Sequence, residues 1–80
     1  MAADTDKLVR YLVTSLVDNP EAVSIEAKRQ GDAITYEITL DADDVGKVIG
    51  RQGRVIKAIR TLVRAAGSSS GERVEVEVLG

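Results

Sequence analysis

The amino-terminal part of the chain has apolar residues at helical spacing. Pairs of apolar positions recur every three or four residues, at Leu8, Val9, Leu12, Val13, Leu16 and Val17. This spacing puts them on one face of an amphipathic helix, which we predict over residues 5–17. Asp4 or Thr5 caps its start, and the Asn19-Pro20 pair ends it.

Three later segments alternate between apolar and polar residues, the pattern of half-buried strands. Their apolar positions are Val23, Ile25 and Ala27 in the first, Ile34, Tyr36, Ile38 and Leu40 in the second, and Val74, Val76 and Val78 in the third. The run Gln30-Gly31-Asp32 between the first two predicts a hairpin turn.

Helical spacing returns between the second and third strands. The acidic residues 41–44 offer N-cap oxygens to a short helix that runs to Gly50, and a longer helix follows over residues 54–66. Residues 67–71, a Gly and Ser run, predict a flexible connector. The order helix, strand, strand, helix, helix, strand predicts an α+β fold in which three helices cover one face of a three-stranded mixed sheet.

The composition limits what this chain can do. Eighty residues are enough for one domain, predicted over residues 1–80, with a core of Val, Ile, Leu and Ala and no deep pocket. The chain has no Cys and no His, so disulfides, thiolate chemistry and histidine ligands are excluded. We find no nucleophile with a partner base, and therefore predict no catalytic residue, no metal, no cofactor and no small-molecule substrate. No signal peptide or membrane span is evident, and we expect a cytoplasmic protein.

The charge is unevenly distributed. The net charge of -2 argues at first against a nucleic-acid partner. Residues 45–71, however, contain six basic residues and no acidic one, while the remainder carries -8. Because charges act over a Debye length of about 8 Å, a phosphate chain would respond to the local basic cluster.

Within this basic stretch, the loop Gly50-Arg51-Gln52-Gly53 separates the two predicted helices. Two glycines allow a tight turn and leave no side chain to hold a sugar-phosphate backbone away. The start of the following helix presents backbone N–H groups and partial positive charge to an anion. Arg54 and Lys57 add charge beside this loop, which we call the GxxG loop.

The segment from Val45 to Ile59 resembles the KH domain, because a GxxG loop follows Val-Ile, precedes Arg-Val-Ile-Lys, and lies between two helices bracketed by strands. The resemblance covers about residues 33–79, and the added helix and strand in front are similar to the type II arrangement. The whole chain resembles the small bacterial single-KH proteins of the KhpA type.

The resemblance implies binding of single-stranded RNA. In the KH family the loop clamps the backbone of about four nucleotides, whose bases lie in an apolar groove. Carried over, Val45, Val48 and Ile49 form one groove wall, with Ile38 and Val55 on the other; the first three are also expected to pack in the core, so that their role in the groove is partial. The expected RNA-binding residues are Val45, Lys47, Val48, Ile49, Gly50, Arg51, Gln52, Gly53, Arg54 and Lys57.

The resemblance also implies partners and a cellular role. We expect a homodimer, or a complex with a larger KH-containing protein of the KhpB (Jag) type. The implied role is that of an RNA chaperone or post-transcriptional regulator, linked in some bacteria to cell shape.

Other interpretations of the same residues stay open. The GxxG loop is also compatible with an ordinary helix-helix turn, and the chain with a protein-interaction module of KH-like fold. Ile56, Ile59 and Val63 are then interpreted either as core residues or as a dimer surface, for which the first helix is the other candidate. Arg60 and Arg64 are interpreted as a solvated charged face. A P-loop and a calcium loop both fail, because Val48 and Gln52 occupy positions that those motifs reserve for a hydroxyl and an acid.

Overall fold

The computed structural model describes residues 4–79. Its helices and strands are α1 (Thr5–Leu16), β1 (Ser24–Gln30), β2 (Ala33–Thr39), α2 (Val45–Ile49), α3 (Arg54–Ser68) and β3 (Arg73–Leu79). Short 3-10 turns precede β1, α2 and α3. The predicted element order and the α+β class are confirmed. The ends of the predicted domain, residues 1–3 and 80, lie outside the described residues.

The three strands form one mixed sheet with β2 in the centre. β1 and β2 are antiparallel and joined at Gly31, which has a φ of 62°, a value that glycine adopts readily. β2 and β3 are parallel, so the chain between them must cross the sheet, and this crossover consists of α2, the GxxG loop and α3.

Alternation in the strands and helical spacing in α1, α2 and α3 direct their apolar side chains into one shared core. The buried members are Val9, Val13, Ile34, Tyr36, Ile38, Leu40, Val48, Ile56, Ile59, Val63, Val74 and Val76. The Tyr36 hydroxyl lies 2.6 Å from Oγ1 of buried Thr5, which satisfies both polar groups.

The end of α3 differs from the prediction. The helix continues to Ser68, so part of the expected flexible connector is helical. Gly67 is buried, and a Cβ at this position would overlap the Val74 side chain. Close packing of α3 on β3 thus overrides the low helix propensity of a Gly-Ser run. The remaining turn is closed by hydrogen bonds from the amides of Ser70 and Glu72 to the Gly67 carbonyl, both 2.9 Å.

None of the helices in the described part of the chain combines the length and the apolar composition that a membrane crossing requires.

Candidate nucleic-acid interface

The GxxG loop is a compact turn between α2 and α3. The Gly50 amide ends α2 by donating to the Gly46 carbonyl at 2.8 Å, and the Gly53 amide donates back to the Gly50 carbonyl at 3.1 Å. Gly50, Gln52 and Gly53 all have positive φ, of 76°, 57° and 73°. Gln52 is the one non-glycine residue with positive φ among residues 4–79. The loop is therefore held in one shape by its own backbone.

The two glycines are needed for different reasons. A Cβ on Gly50 would overlap the Val55 side chain and lie 2.9 Å from its amide nitrogen, so the end of α2 contacts the first turn of α3 through bare backbone. A Cβ on Gly53 would meet nothing closer than the Lys57 Cε at 3.9 Å. Gly53 is needed only for its positive φ, whereas Gly50 is needed both for its positive φ and for the close packing against Val55.

Polar and cationic side chains surround the loop on the solvent side. Arg51, Gln52, Arg54 and Lys57 are exposed. Arg54 Nη2 donates to Gln52 Oε1 at 3.3 Å, while the side chains of Arg51 and Lys57 have no hydrogen bond or ion pair within residues 4–79. The loop also opens the fifteen-residue helix α3, whose N-cap, Gly53, has no side chain to cap it. An anion approaching this end meets free cations and the positive end of a helix.

Lys47, expected among the RNA contacts, is bound within the protein. Its Nζ lies 2.5 Å from Asp18 Oδ2 and 3.1 Å from Asp44 Oδ1. The hydrogen bond to Asp18, followed by that to Asp44, raises the pKa of Lys47 above its ordinary value. Two carboxylates neutralise this ammonium, so Lys47 is not positioned as a phosphate ligand in this structure.

Asp44 is buried, although the sequence analysis treated it only as a possible helix cap. Its carboxylate accepts hydrogen bonds from the backbone amides of Asp18 and Asn19, at 3.2 and 3.0 Å, as well as from Lys47. Burial alone would raise the pKa of this carboxyl, but the two amides and the ammonium outweigh it and lower the pKa. Asp44 thereby fastens the start of α2 to the segment that follows α1.

The expected apolar groove is narrower than predicted. Val48 and Ile38 are fully buried in the core, because Val48 lies on the inward side of α2 and Ile38 on the helix-facing side of β2. Their side chains therefore contact the core and do not line a surface. Val45, Ile49 and Val55 remain half-buried at the rim of the core and are available to a ligand.

The two arginines in the far half of α3 both contact β3; Arg64 is exposed, as expected for a solvated charged face, whereas Arg60 is half-buried. Arg60 Nε donates to the Val76 carbonyl at 3.1 Å, and Arg64 Nη2 lies 2.8 Å from Glu75 Oε2. Arg64 and Glu75 sit in separate elements, and the sequence pattern held no signal that would bring them together.

Comparison with known proteins agrees with the fold. The family model described as "KhpA/KhpB, KH domain" matches residues 6–78. A protein of Listeria monocytogenes named "RNA-binding protein KhpA" is 40% identical over 74 residues, covering 92% of this chain and 97% of that protein. Its namesake in Caldanaerobacter subterraneus is 44% identical over 73 residues, covering 91% of this chain and 97% of that one.

Among solved structures, the fold is similar to part of Era in complex with MgGDPNP and nucleotides 1506–1542 of 16S ribosomal RNA. The TM-score is 0.67 and the sequence identity 22%; the match covers 92% of this chain but 28% of the Era chain. At this identity the likeness concerns the fold alone, and it is consistent with the type II KH arrangement.

Proposed function

The chain belongs to the KhpA/KhpB family of KH domains, and we propose that it binds single-stranded RNA, with the GxxG loop as the grip on the RNA backbone. One observation carries this proposal: an exposed, glycine-bounded loop presents the unpaired cation Arg51 at the uncapped start of α3. Relatives named as RNA-binding proteins support the choice of ligand.

The mechanism divides between charge and shape. Phosphates approach the bare backbone of Gly50 and Gly53 and contact Arg51, Gln52, Arg54 and Lys57. Bases lie against the half-buried Val45, Ile49 and Val55. Stacking on aromatic rings has no part in this mode, because Tyr36 is buried and Tyr11 lies on α1. A short footprint and a shallow groove give weak binding with little base preference.

The proposal is tested with fluorescent single-stranded RNA at two salt concentrations. In the variant Arg51→Asp, Gln52→Asp we expect affinity to fall about tenfold or more, which corresponds to about 1.4 kcal/mol. The control Lys7→Asp, Gln30→Asp makes the same change in net charge at exposed positions on α1 and β1. Equal losses in the two variants, or no loss in the loop variant, would contradict the proposed grip.

We further propose that the protein acts in the cytoplasm as an RNA chaperone or post-transcriptional regulator. In this proposal residues 1–80 form one KH unit with its core at 33–79. Because single-site affinity is weak, a second RNA-binding unit held nearby raises the effective concentration. A homodimer, or a complex with a larger KhpB-type protein, supplies such a unit.

Exposed apolar residues favour protein docking as a second function. The surface suggested earlier at Ile56, Ile59 and Val63 is ruled out, since all three are buried in the core. Tyr11 on α1 and Leu62 on α3 are instead 69% and 53% exposed. If they form a self-association surface, light scattering will show a dimer that Leu62→Glu converts to a monomer while RNA binding to the single unit persists.

A further inference from the structure

The face of the sheet that points away from the helices carries an aligned row of acidic residues. Glu26 on β1 pairs with Glu37 on β2, and Glu37 pairs with Glu77 on β3. Neighbouring strands lie about 4.8 Å apart, so the three carboxylates fall within a Debye length or little more of one another. We call Glu26, Glu37 and Glu77 the glutamate row.

The row is only partly neutralised. Lys28 Nζ lies 3.1 Å from Glu37 Oε1, whereas Glu26 and Glu77 are exposed and have no ion pair within residues 4–79. The pKa of Lys28 is raised first by the hydrogen bond to Glu37 and then by the charges of Glu37, Glu26 and Glu77. Like charges facing each other across strands destabilise a sheet, so the fold gains nothing from this arrangement.

The row does not form a metal site or a platform for bases. In the part of the chain that the structure describes, no group of three or more acidic residues is placed so that it could hold a metal ion. Tyr36 pairs with Ala27 and Val76 and lies in the core, on the opposite side of the sheet. The outer face therefore lacks the stacking rings that other small α/β domains use to hold bases.

The molecule thus has two faces of opposite character. Unpaired cations surround the GxxG loop on the helix side, whereas the outer face of the sheet carries the carboxylates of Glu26, Glu37, Glu75 and Glu77 against the cations of Lys28 and Arg73, an acidic excess. Fields of this kind orient a charged ligand during its approach. Without stacking rings the sheet face could attract RNA only through its charge, so a basic outer face would compete with the loop for phosphates and an acidic one does not.

We propose that the glutamate row excludes RNA from the sheet face and thereby confines RNA to the GxxG loop. The inference rests on the proposed function and adds to it an explanation of why RNA binds at the loop and not at the sheet face. Glu26 and Glu77 are then specificity-determining residues that never touch the ligand in the productive complex.

The test neutralises the two unpaired members of the row with Glu26→Gln, Glu77→Gln, leaving the Lys28–Glu37 pair in place. The matched control, Glu21→Gln, Asp32→Asn, changes net charge equally at exposed positions off the sheet face. The affinity of both double variants for single-stranded RNA is measured at low salt, once in the wild-type background and once combined with Arg51→Asp, Gln52→Asp. Amide NMR shifts of Thr35 and Glu37 report directly on RNA at the sheet.

We expect the sheet variant to bind RNA about threefold more tightly than the control variant, an effect that disappears at high salt. In the loop-defective background it should regain binding, with shifts at Thr35 and Glu37. Equal affinities of the sheet and control variants, or a gain without shifts on β2, would overturn the inference. Failure of the loop proposal is seen separately, as undiminished binding by Arg51→Asp, Gln52→Asp alone.

Discussion

The six basic residues between positions 45 and 71 divide into two groups by what their side chains contact. Arg51, Arg54 and Lys57, at the loop and the first turn of α3, are exposed, and within residues 4–79 the only partner of their side chains is Gln52. The other three, Lys47, Arg60 and Arg64, bind Asp18 and Asp44, the Val76 carbonyl, and Glu75. A count of charges in the sequence therefore overstates the charge available to a ligand.

The largest effect is expected from deforming the GxxG loop, beside which the unpaired basic residues lie. Gly50→Ala places a side chain against Val55 at a φ of 76°, so we expect stability to fall by about 3 kcal/mol and RNA binding to be lost. Urea unfolding measures the first and RNA titration the second.

Gly46 is the matched control because it lies within α2 with open space around it. Gly46→Ala should leave stability unchanged or raise it by up to about 1 kcal/mol. Similar losses in the two variants would show that the loop does not depend on the close approach at Gly50.

Removing the charge of Asp44 tests the basic residues that have partners within the protein, through Lys47. In Asp44→Asn the amides of Asp18 and Asn19 and the Lys47 ammonium lose a carboxylate partner, so we expect a clearly lower melting temperature at pH 7. Lys47 keeps its ion pair with Asp18 in this variant, so its charge is only partly freed, and a rise in RNA affinity would show that the contact with Asp44 limits its contribution.

The same variant has an acid signature. The pKa of Asp44 is lower in the folded than in the unfolded protein, where it is near the ordinary 3.8. The unfolded state therefore takes up a proton first, and the stabilisation is complete above about pH 4 and is lost as the pH falls through the folded pKa. Melting curves from pH 7 to pH 2 should show this loss in wild type and in Asp43→Asn, but less of it in Asp44→Asn.

A smaller effect is expected from truncating one unpaired and one paired basic residue and comparing their RNA affinities. Lys57→Ala should weaken RNA binding about threefold and reduce the salt dependence by about one ion. Arg64→Ala should leave RNA affinity nearly unchanged and lower stability by about 0.5 kcal/mol, since its pair with Glu75 is exposed. Equal effects on RNA would mean that Arg64 leaves Glu75 to bind phosphate.

The smallest effect is expected at Gly53. Gly53→Ala meets no close neighbour and should cost only about 1 kcal/mol, from its left-handed backbone. Gly53→Asn should recover part of that loss, because asparagine tolerates this conformation better. A loss at Gly53 as large as that at Gly50 would show that the two glycines share one role.

The sequence predicted what depends on neighbouring positions. Alternation placed Ile34, Tyr36 and Ile38 on one face of β2, and the glycine spacing located the break between α2 and α3. It did not predict contacts between distant segments: Asp44 accepts from the amides of Asp18 and Asn19 across more than twenty residues, and the carboxylates of Asp18 and Asp44 together bind Lys47. Gly67 was likewise assigned to a loop, because the contact that favours a helix there is with the distant side chain of Val74.

The closed backbone of the GxxG loop also bears on how fast RNA binds. The bond from the Gly53 amide to the Gly50 carbonyl and the left-handed Gln52 give the loop its shape without a ligand. No segment has to fold around the RNA, so association should occur in a single kinetic phase whose rate follows ionic strength. Differences in affinity between RNA sequences would then appear in how long each complex lasts.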